Sequence, residues 1–278
     1  MVRSPLTAAQ PRLLLVQARS APDMEQQEQE CFFERCRLPP SQFLILNVAR
    51  GDVPDPAVLS EVDVVLIGGA GKYSATREYP WMEGLLALIN EGVEAGLPTF
   101  GSCWGHQIIA RALGGRVEHD PDRAELGCRW VGLTDAGAAD PLFRRFSDRF
   151  KANMGHHDRV VDLPPGAIEL ARNEQSNQAF RLRGAPVYGT QFHSELDAQR
   201  EKERILAYRE YYRQALPDDE SVQSVIDDLA ETTDVDTLLY DFLVTYVVRA
   251  DAKNGTATLT AERDLDRIPP DDRRRAAA

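Results

Sequence analysis

Cys103 stands in the segment Gly101-Ser-Cys-Trp-Gly105, with a glycine two places to either side, between a short apolar run and a helical pattern. A thiol placed there can act as a nucleophile. Glycines at both flanks let the backbone turn sharply, which lifts the side chain onto an elbow at the strand end with a helix N-terminus beneath it. The positive end of the helix dipole and its free N–H groups favour the thiolate, the form that attacks carbonyl carbon. Taken alone, the segment fits equally a small buried hydrophobe between glycines that permit close packing.

A second segment, Val187-Tyr-Gly-Thr-Gln-Phe-His-Ser-Glu195, puts a histidine and a carboxylate at the end of another strand-like run. Side chains on a strand repeat every two residues, so His193 and Glu195 can face one side, where the carboxylate orients the imidazole. Cysteine, histidine and acid then make a nucleophile, a base and an orienting group. On its own the pair fits an ordinary surface histidine beside an ordinary surface glutamate. A third segment, Val64-Val-Leu-Ile-Gly-Gly-Ala-Gly-Lys-Tyr-Ser74, sets a glycine-rich turn directly after a buried strand. It has neither the lysine-serine ending of a phosphate loop nor G-x-G-x-x-G before a helix. One backbone N–H from Gly69 and one from Trp104 would instead hold the oxyanion of a tetrahedral intermediate.

These segments need a scaffold that brings strand ends together. Residues 12–17, 43–48, 62–67 and 97–100 are compact runs apolar on nearly both faces, as parallel strands covered by helices require. Helical patterns at 24–37, 81–95 and 104–113 alternate with them, so the order is that of an α/β sheet with right-handed crossovers. From 115 to 193 short strands divided by turn residues imply a mixed or antiparallel extension of the same sheet. In an open α/β sheet the strand ends gather at one edge, where ligands bind.

A charged helix over 197–214 closes this unit, and Leu216-Pro-Asp-Asp-Glu220 marks a boundary with acids at a new helix start. The expected plan is a catalytic domain over 1–215, an acidic helical extension over 216–250 with helices at 221–230 and 235–249, and a flexible tail over 251–278. Apolar residues at three- and four-residue intervals give both extension helices a stripe to bury, either on the chain's own core or on another chain. A private cap on the domain is the favoured use, and truncation after Gln214 is expected to leave a soluble protein that still reacts at Cys103.

The chain is 278 residues with a net charge of -12, and 15 acidic against 7 basic residues lie between Leu216 and Ala278. That balance argues against nucleic acid as a partner, since such binding rests on Lys and Arg neutralising phosphates. No apolar run approaches a membrane span and the N-terminus lacks a signal-peptide core, so a cytoplasmic location with no membrane partner is expected. The four cysteines suit free thiols in a reducing compartment. Cys31 and Cys36 have no second pair at zinc-finger spacing and read as helix packing, Cys128 reads as core, and His106, His119, His156 and His157 form no ligand pair. No metal and no cofactor are expected.

Taken together, the segments resemble the class I, triad-type glutamine amidotransferases. That family carries a Gly-Gly-Pro-Gly-like oxyanion strand, a G-x-C-x-G-x-Q elbow and a Q-F-H-P-E terminus, and Asn153-Met-Gly-His-His-Asp-Arg-Val160 followed by Leu163-Pro is similar to its S-H-x-D-x-V segment. The resemblance spans about residues 12–200 and implies a flavodoxin-like sheet sandwiched by helices. It implies Cys103 as nucleophile, His193 as general base and acid, Glu195 as orienting carboxylate and Gly69 and Trp104 as oxyanion donors. Gly71, Gln107, His157 and Asp158 fall where the family holds the glutamine α-amino and carboxylate groups. Ala70 stands in place of the usual proline, Gly155 of serine and Ser194 of proline, which leaves substrate choice open. The implied reaction is hydrolysis of the γ-carboxamide of glutamine, with ammonia handed to a partner synthase. The alternatives are a stand-alone hydrolase of γ-glutamyl amides or peptides and a non-catalytic binding domain, and homo-oligomerisation is left open.

Overall fold

The structure is a computed structural model that describes residues 11–248. Its first half alternates strands and helices: β1 (Leu13–Gln17), α1 (Pro22–Cys36), β2 (Phe43–Asn47), β3 (Val64–Ile67), α2 (Met82–Glu94), β4 (Thr99–Ser102) and α3 (Trp104–Ala112). Strands β1, β3 and β4 are buried at every position. Successive residues of β1 serve opposite faces: Leu13 and Leu15 enter one core with Phe32 of α1, while Leu14 and Val16 enter another with Leu85 and Leu88 of α2 and Ile108 of α3. A strand covered by helices on both faces has no solvent side, which explains why its sequence does not alternate. Helix α1 starts with Pro22, Asp23 and Glu25 in its first turn and stops at Arg37, whose φ of 58° is left-handed.

The second half supplies β5 (Arg116–His119), β6 (Glu125–Leu133), α4 (Asp135–Ala139), β7 (Arg149–His156), β8 (Asp158–Asp162), β9 (Ala167–Arg172), β10 (Asn177–Leu182) and β11 (Val187–Thr190). One nine-stranded sheet has the order β2-β1-β3-β4-β11-β10-β9-β6-β7, and β5 with β8 makes a two-stranded ribbon. Pairing is parallel from β2 to β11 and antiparallel from β11 to β7. The expected α/β sheet with an antiparallel extension is the observed one. Because β4 and β11 are neighbours in parallel register, their C-terminal ends, Ser102 and Thr190, lie side by side. Cys103 and His193 are thereby delivered to one edge.

Three helices follow: α5 (Ala198–Ala207), α6 (Asp219–Asp228) and α7 (Leu238–Leu243), the last continuing as a π-turn over Val244–Val248. Asp197 caps α5 through the Arg200 N–H, and Asp218 with Ser221 forms a capping box on α6. The helix expected over 197–214 ends at Ala207, and the chain continues in turns because Tyr211 and Tyr212 fold inward, onto the His157 ring and the Gly155 carbonyl.

The extension is packed more deeply than a dispensable appendage would be. Leu238, Leu239, Phe242 and Leu243 are fully buried in the core that holds Leu13, Leu66 and Phe100, and the Phe242 ring lies 5.4 Å from that of Phe100. Val222 of α6 joins a smaller cluster with Leu126, Ile205, Tyr212 and Leu216. Helix α7 therefore covers a face of the sheet, as a private cap on the domain would. The tail expected over 251–278 lies outside the described residues. No helix among the described residues is long and apolar enough to cross a membrane.

Candidate active site

The elbow is built by close backbone approach. Cys103 has φ 53° and ψ −103°, a conformation that an L-residue holds only when its surroundings force it. A Cβ on Gly101 would stand 2.4 Å from the Gly105 carbonyl carbon, and one on Gly105 would stand 2.2 Å from the Ile67 carbonyl oxygen. Only glycine lets β4, α3 and β3 meet this tightly. The Cys103 N–H donates to Thr190 O at 2.7 Å and the His193 N–H to Asn153 O at 3.0 Å, so the elbow is pinned to β11 and the histidine to β7. The sulfur lies 3.8 Å from both Gly155 O and Gln191 Nε2.

Behind the histidine, Nδ1 of His193 is 2.7 Å from Oε1 of Glu195, which leaves Nε2 for the cavity that both Cys103 and His193 line. Glu195 is fully buried. Its Oε2 accepts from Ser102 Oγ at 2.6 Å, and Nη1 of Arg204 approaches Oε1 to 3.3 Å. Burial is the largest influence on His193 and opposes the imidazolium, but the Glu195 carboxylate and the Cys103 sulfur outweigh it and hold the ring well above its ordinary 6.5. Burial likewise favours neutral Glu195, and His193, Arg204 and Ser102 overcome it and hold the carboxyl well below 4.5. A sulfur beside a carboxylate-backed imidazolium is equipped for nucleophilic attack followed by protonation of a leaving amine.

The residues expected at the site converge. Gly69, Gly71, Trp104, Gln107, His157 and Asp158 all line the same cavity as Cys103 and His193. Trp104 is the first residue of α3, so its N–H has no carbonyl one turn earlier to bond and is available at the elbow. Gly69 differs from expectation: its N–H donates to Glu28 Oε1 at 2.8 Å instead of being presented to Cys103. The physical reason is the buried pair beneath the loop. Glu28, fully buried, needs donors, and it draws Arg19 Nη2 at 2.8 Å, Gln17 Nε2 at 2.8 Å and the Gly69 N–H.

That pair also explains the glycines of the turn. A Cβ on Gly68 would stand 2.7 Å from the Glu28 carboxyl carbon, one on Gly69 2.5 Å from Arg19 Nη2, and one on Gly71, whose φ is 61°, 2.4 Å from the Tyr208 ring. The turn is shaped around an ion pair and a tyrosine. Asp158 is engaged by protein groups: its carboxylate accepts from Ser74 Oγ at 2.6 Å and the Ala75 N–H at 2.8 Å, and lies 2.7 Å from His119 Nδ1. It buttresses the loop. Gln107 Nε2 donates to Asp158 O at 2.7 Å and to Gln191 Oε1 at 3.0 Å. The His157 ring stacks on Tyr211 with centroids 5.0 Å apart, and burial pushes its pKa down to about 4, so it is neutral at physiological pH.

Several residues around the site carry no motif in the sequence: Arg19, Glu28, Glu201, Arg204, Tyr208, Tyr211 and Tyr212. A signal exists in the charged helix. Glu201, Ile205, Tyr208 and Tyr212 recur at four- and three-residue intervals, a stripe that begins with a charge and is buried except at the half-buried Tyr208. The remaining cysteines stay away from the site. Cys31, Cys36 and Cys128 are free and buried, and burial pushes the Cys31 thiol up to about 12. His106 lies fully buried beneath the elbow, its pKa pushed down to about 3 by burial.

Known proteins resemble this chain in sequence and fold. The family model for class-I glutamine amidotransferase matches residues 46–210. One subunit of the glutamine-hydrolyzing GMP synthase of Sulfolobus acidocaldarius is 35% identical over 147 residues, 51% of this chain and 73% of that protein. The glutamine amidotransferase-like protein chyE of Penicillium rubens is 29% identical over 194 residues, 65% of this chain and 78% of that protein. Among solved structures, a glutamine amidotransferase of Thermotoga maritima superposes with a TM-score of 0.67 at 26% identity, covering 86% of this chain and 99% of that one.

Proposed function

The chain belongs to the class-I glutamine amidotransferases, and on that premise we propose that it hydrolyses the γ-carboxamide of glutamine through Cys103, His193 and Glu195 and passes the ammonia to a partner synthase. The Cys103 thiolate attacks the carboxamide carbon and forms a tetrahedral oxyanion, which the Trp104 N–H stabilises. His193 gives its Nε2 proton to the departing ammonia, leaving a thioester on Cys103. The imidazole then takes a proton from water, whose oxygen attacks the thioester carbon, and glutamate leaves as the thiolate re-forms. Glu195 holds the imidazole in the tautomer and orientation that both transfers need.

The observation that carries this reading is the strained Cys103 elbow facing an imidazole backed by a buried carboxylate 2.7 Å away. The relation to the Sulfolobus acidocaldarius protein favours a partner that consumes ammonia. A second reading, a stand-alone hydrolase of γ-glutamyl amides, is favoured by the relation to the Penicillium rubens amidotransferase-like protein. Glutamate release by the purified chain from L-glutamine and from a panel of γ-glutamyl amides tests both. Turnover of glutamine that rises when a synthase is added supports the first; full turnover of a γ-glutamyl amide by the chain alone supports the second; no turnover and no glutamine-dependent chemistry at Cys103 contradicts both.

A further inference from the structure

The carboxylates around the cavity divide unequally. Asp158 is saturated by Ser74, Ala75 and His119, Glu195 by His193, Ser102 and Arg204, and Glu28 by Arg19, Gln17 and Gly69. Glu201 is the exception. It is 2% exposed and lines the cavity, its Oε2 has no hydrogen-bond donor, and no ion pair reaches it among the described residues. The nearby Tyr212 hydroxyl does not serve it, because that hydroxyl donates to Gly155 O at 2.8 Å.

Its carboxylate and the Cys103 sulfur both approach Gly155. Oε1 of Glu201 lies 3.0 Å and Oη of Tyr212 3.2 Å from the point where a Cβ on Gly155 would sit, and Gly155 O is 3.8 Å from Cys103 Sγ. A side chain on residue 155 would press on this carboxylate. The glycine that stands where the family pattern has serine thus makes room for Glu201.

Resting on the amidotransferase reading above, we propose that Glu201 receives the α-ammonium of the substrate, and that the enzyme therefore requires a γ-glutamyl amide with a free α-amino group. An ionised carboxylate withdrawn from water without a partner is costly, and a bound cation relieves that cost. In glutamine the α-nitrogen is separated from the carboxamide carbon by three methylene or methine carbons, so a substrate whose carboxamide reaches Cys103 carries its ammonium to a neighbouring point of the wall. Glu201 is the carboxylate waiting there. The Tyr208 and Tyr211 rings line the same cavity and add apolar walls that suit an ammonium by cation–π attraction. Glutamine within a peptide chain, whose α-nitrogen is an uncharged amide, is excluded by this chemistry, whereas free glutamine and N-terminal γ-glutamyl compounds are accepted.

The test uses two probes, L-glutamine and glutaramate, the same carboxamide chain without the α-amino group. Alkylation of Cys103 by iodoacetamide is followed by peptide mass spectrometry, and the concentration of each probe that halves the rate is measured. The wild-type chain is expected to be protected by L-glutamine at a concentration at least about tenfold lower than by glutaramate, the size of one charge-assisted hydrogen bond. Glu201→Gln should bring the two concentrations together, and Glu201→Asp should keep the preference for glutamine. Each ratio is taken within one protein, so a slower elbow in a variant does not move it. Equal protection of the wild type by both probes overturns the role of Glu201, as does a wild-type ratio in Glu201→Gln. Protection by neither probe is a different result: it overturns the amidotransferase reading itself.

Discussion

Nδ1 of His193 lies 2.7 Å from Oε1 of Glu195, and both side chains are buried. Two residues of the bend that follows β11 thus pair, and Ser102 and Arg204 hold them from behind. On the proposed mechanism the two divide labour. His193→Ala removes both proton transfers and is expected to lower kcat by about 10³-fold, within the range for a positioned general acid and base. Glu195→Gln keeps the imidazole and loses its orientation, with an expected drop of about 10²-fold. Steady-state kinetics on glutamine check this; equal and complete loss in both variants contradicts the division.

The same pair sets the pH dependence. His193 is held above its ordinary 6.5, so the proton donor persists through neutral pH and is lost as pH rises through the raised value. Turnover is expected to fall on the alkaline side, and Glu195→Gln should move that limb to lower pH. Stability follows the same signs. The contribution of His193 is complete below 6.5 and disappears as pH rises through its folded-state value. Those of Glu28 and Glu195, whose carboxyls are held below 4.5, are present above that pH and disappear as it falls through their folded-state values. Melting temperature against pH for the wild type, Glu195→Gln and Glu28→Gln measures each limb.

Arg19 and Glu28 are 2% and 0% exposed, and removing Glu28 takes the carboxylate partner from Arg19. Glu28→Ala is expected to cost about 3–5 kcal/mol by chemical denaturation, because Arg19 keeps its charge in a buried setting. Gly69→Ala, which would place a Cβ 2.5 Å from Arg19 Nη2, should destabilise the same pair.

Helix α7 supplies a further check. Phe242→Ala is expected to cost about 3–5 kcal/mol, since the ring is fully buried among core residues. Truncation after Gln214 should yield an insoluble or unfolded protein, because the sheet face under Leu238, Leu239 and Phe242 would be bared. A soluble truncated chain with normal Cys103 reactivity would contradict this account of the core.

The sheet and the candidate catalytic residues are legible in the sequence because each rests on a local pattern: runs apolar on both faces for the buried strands, paired glycines for the elbow, and two-residue spacing for His193 and Glu195. Arg19, Glu28 and Glu201 are not. Arg19 and Glu28 find their partners only through tertiary packing, and the stripe that holds Glu201 marks it as buried without saying what it faces. The bond from Gly69 to Glu28 joins positions 41 residues apart, so the orientation of that N–H depends on tertiary packing. The depth of α7 escapes the sequence for a related reason: its apolar stripe states that a face is covered and does not say by what.

The central claim, that Cys103 attacks the γ-carboxamide carbon of a glutamine-like substrate, is tested most directly by covalent trapping. The chain is incubated with 6-diazo-5-oxo-L-norleucine, a glutamine analogue with an electrophilic carbon near the carboxamide position, and the label is mapped by peptide mass spectrometry. The account predicts one label per chain, on Cys103, slowed by L-glutamine and absent from Cys103→Ala. Labelling of Cys31, Cys36 or Cys128 instead, or labelling of Cys103 that glutamine does not slow, would contradict it.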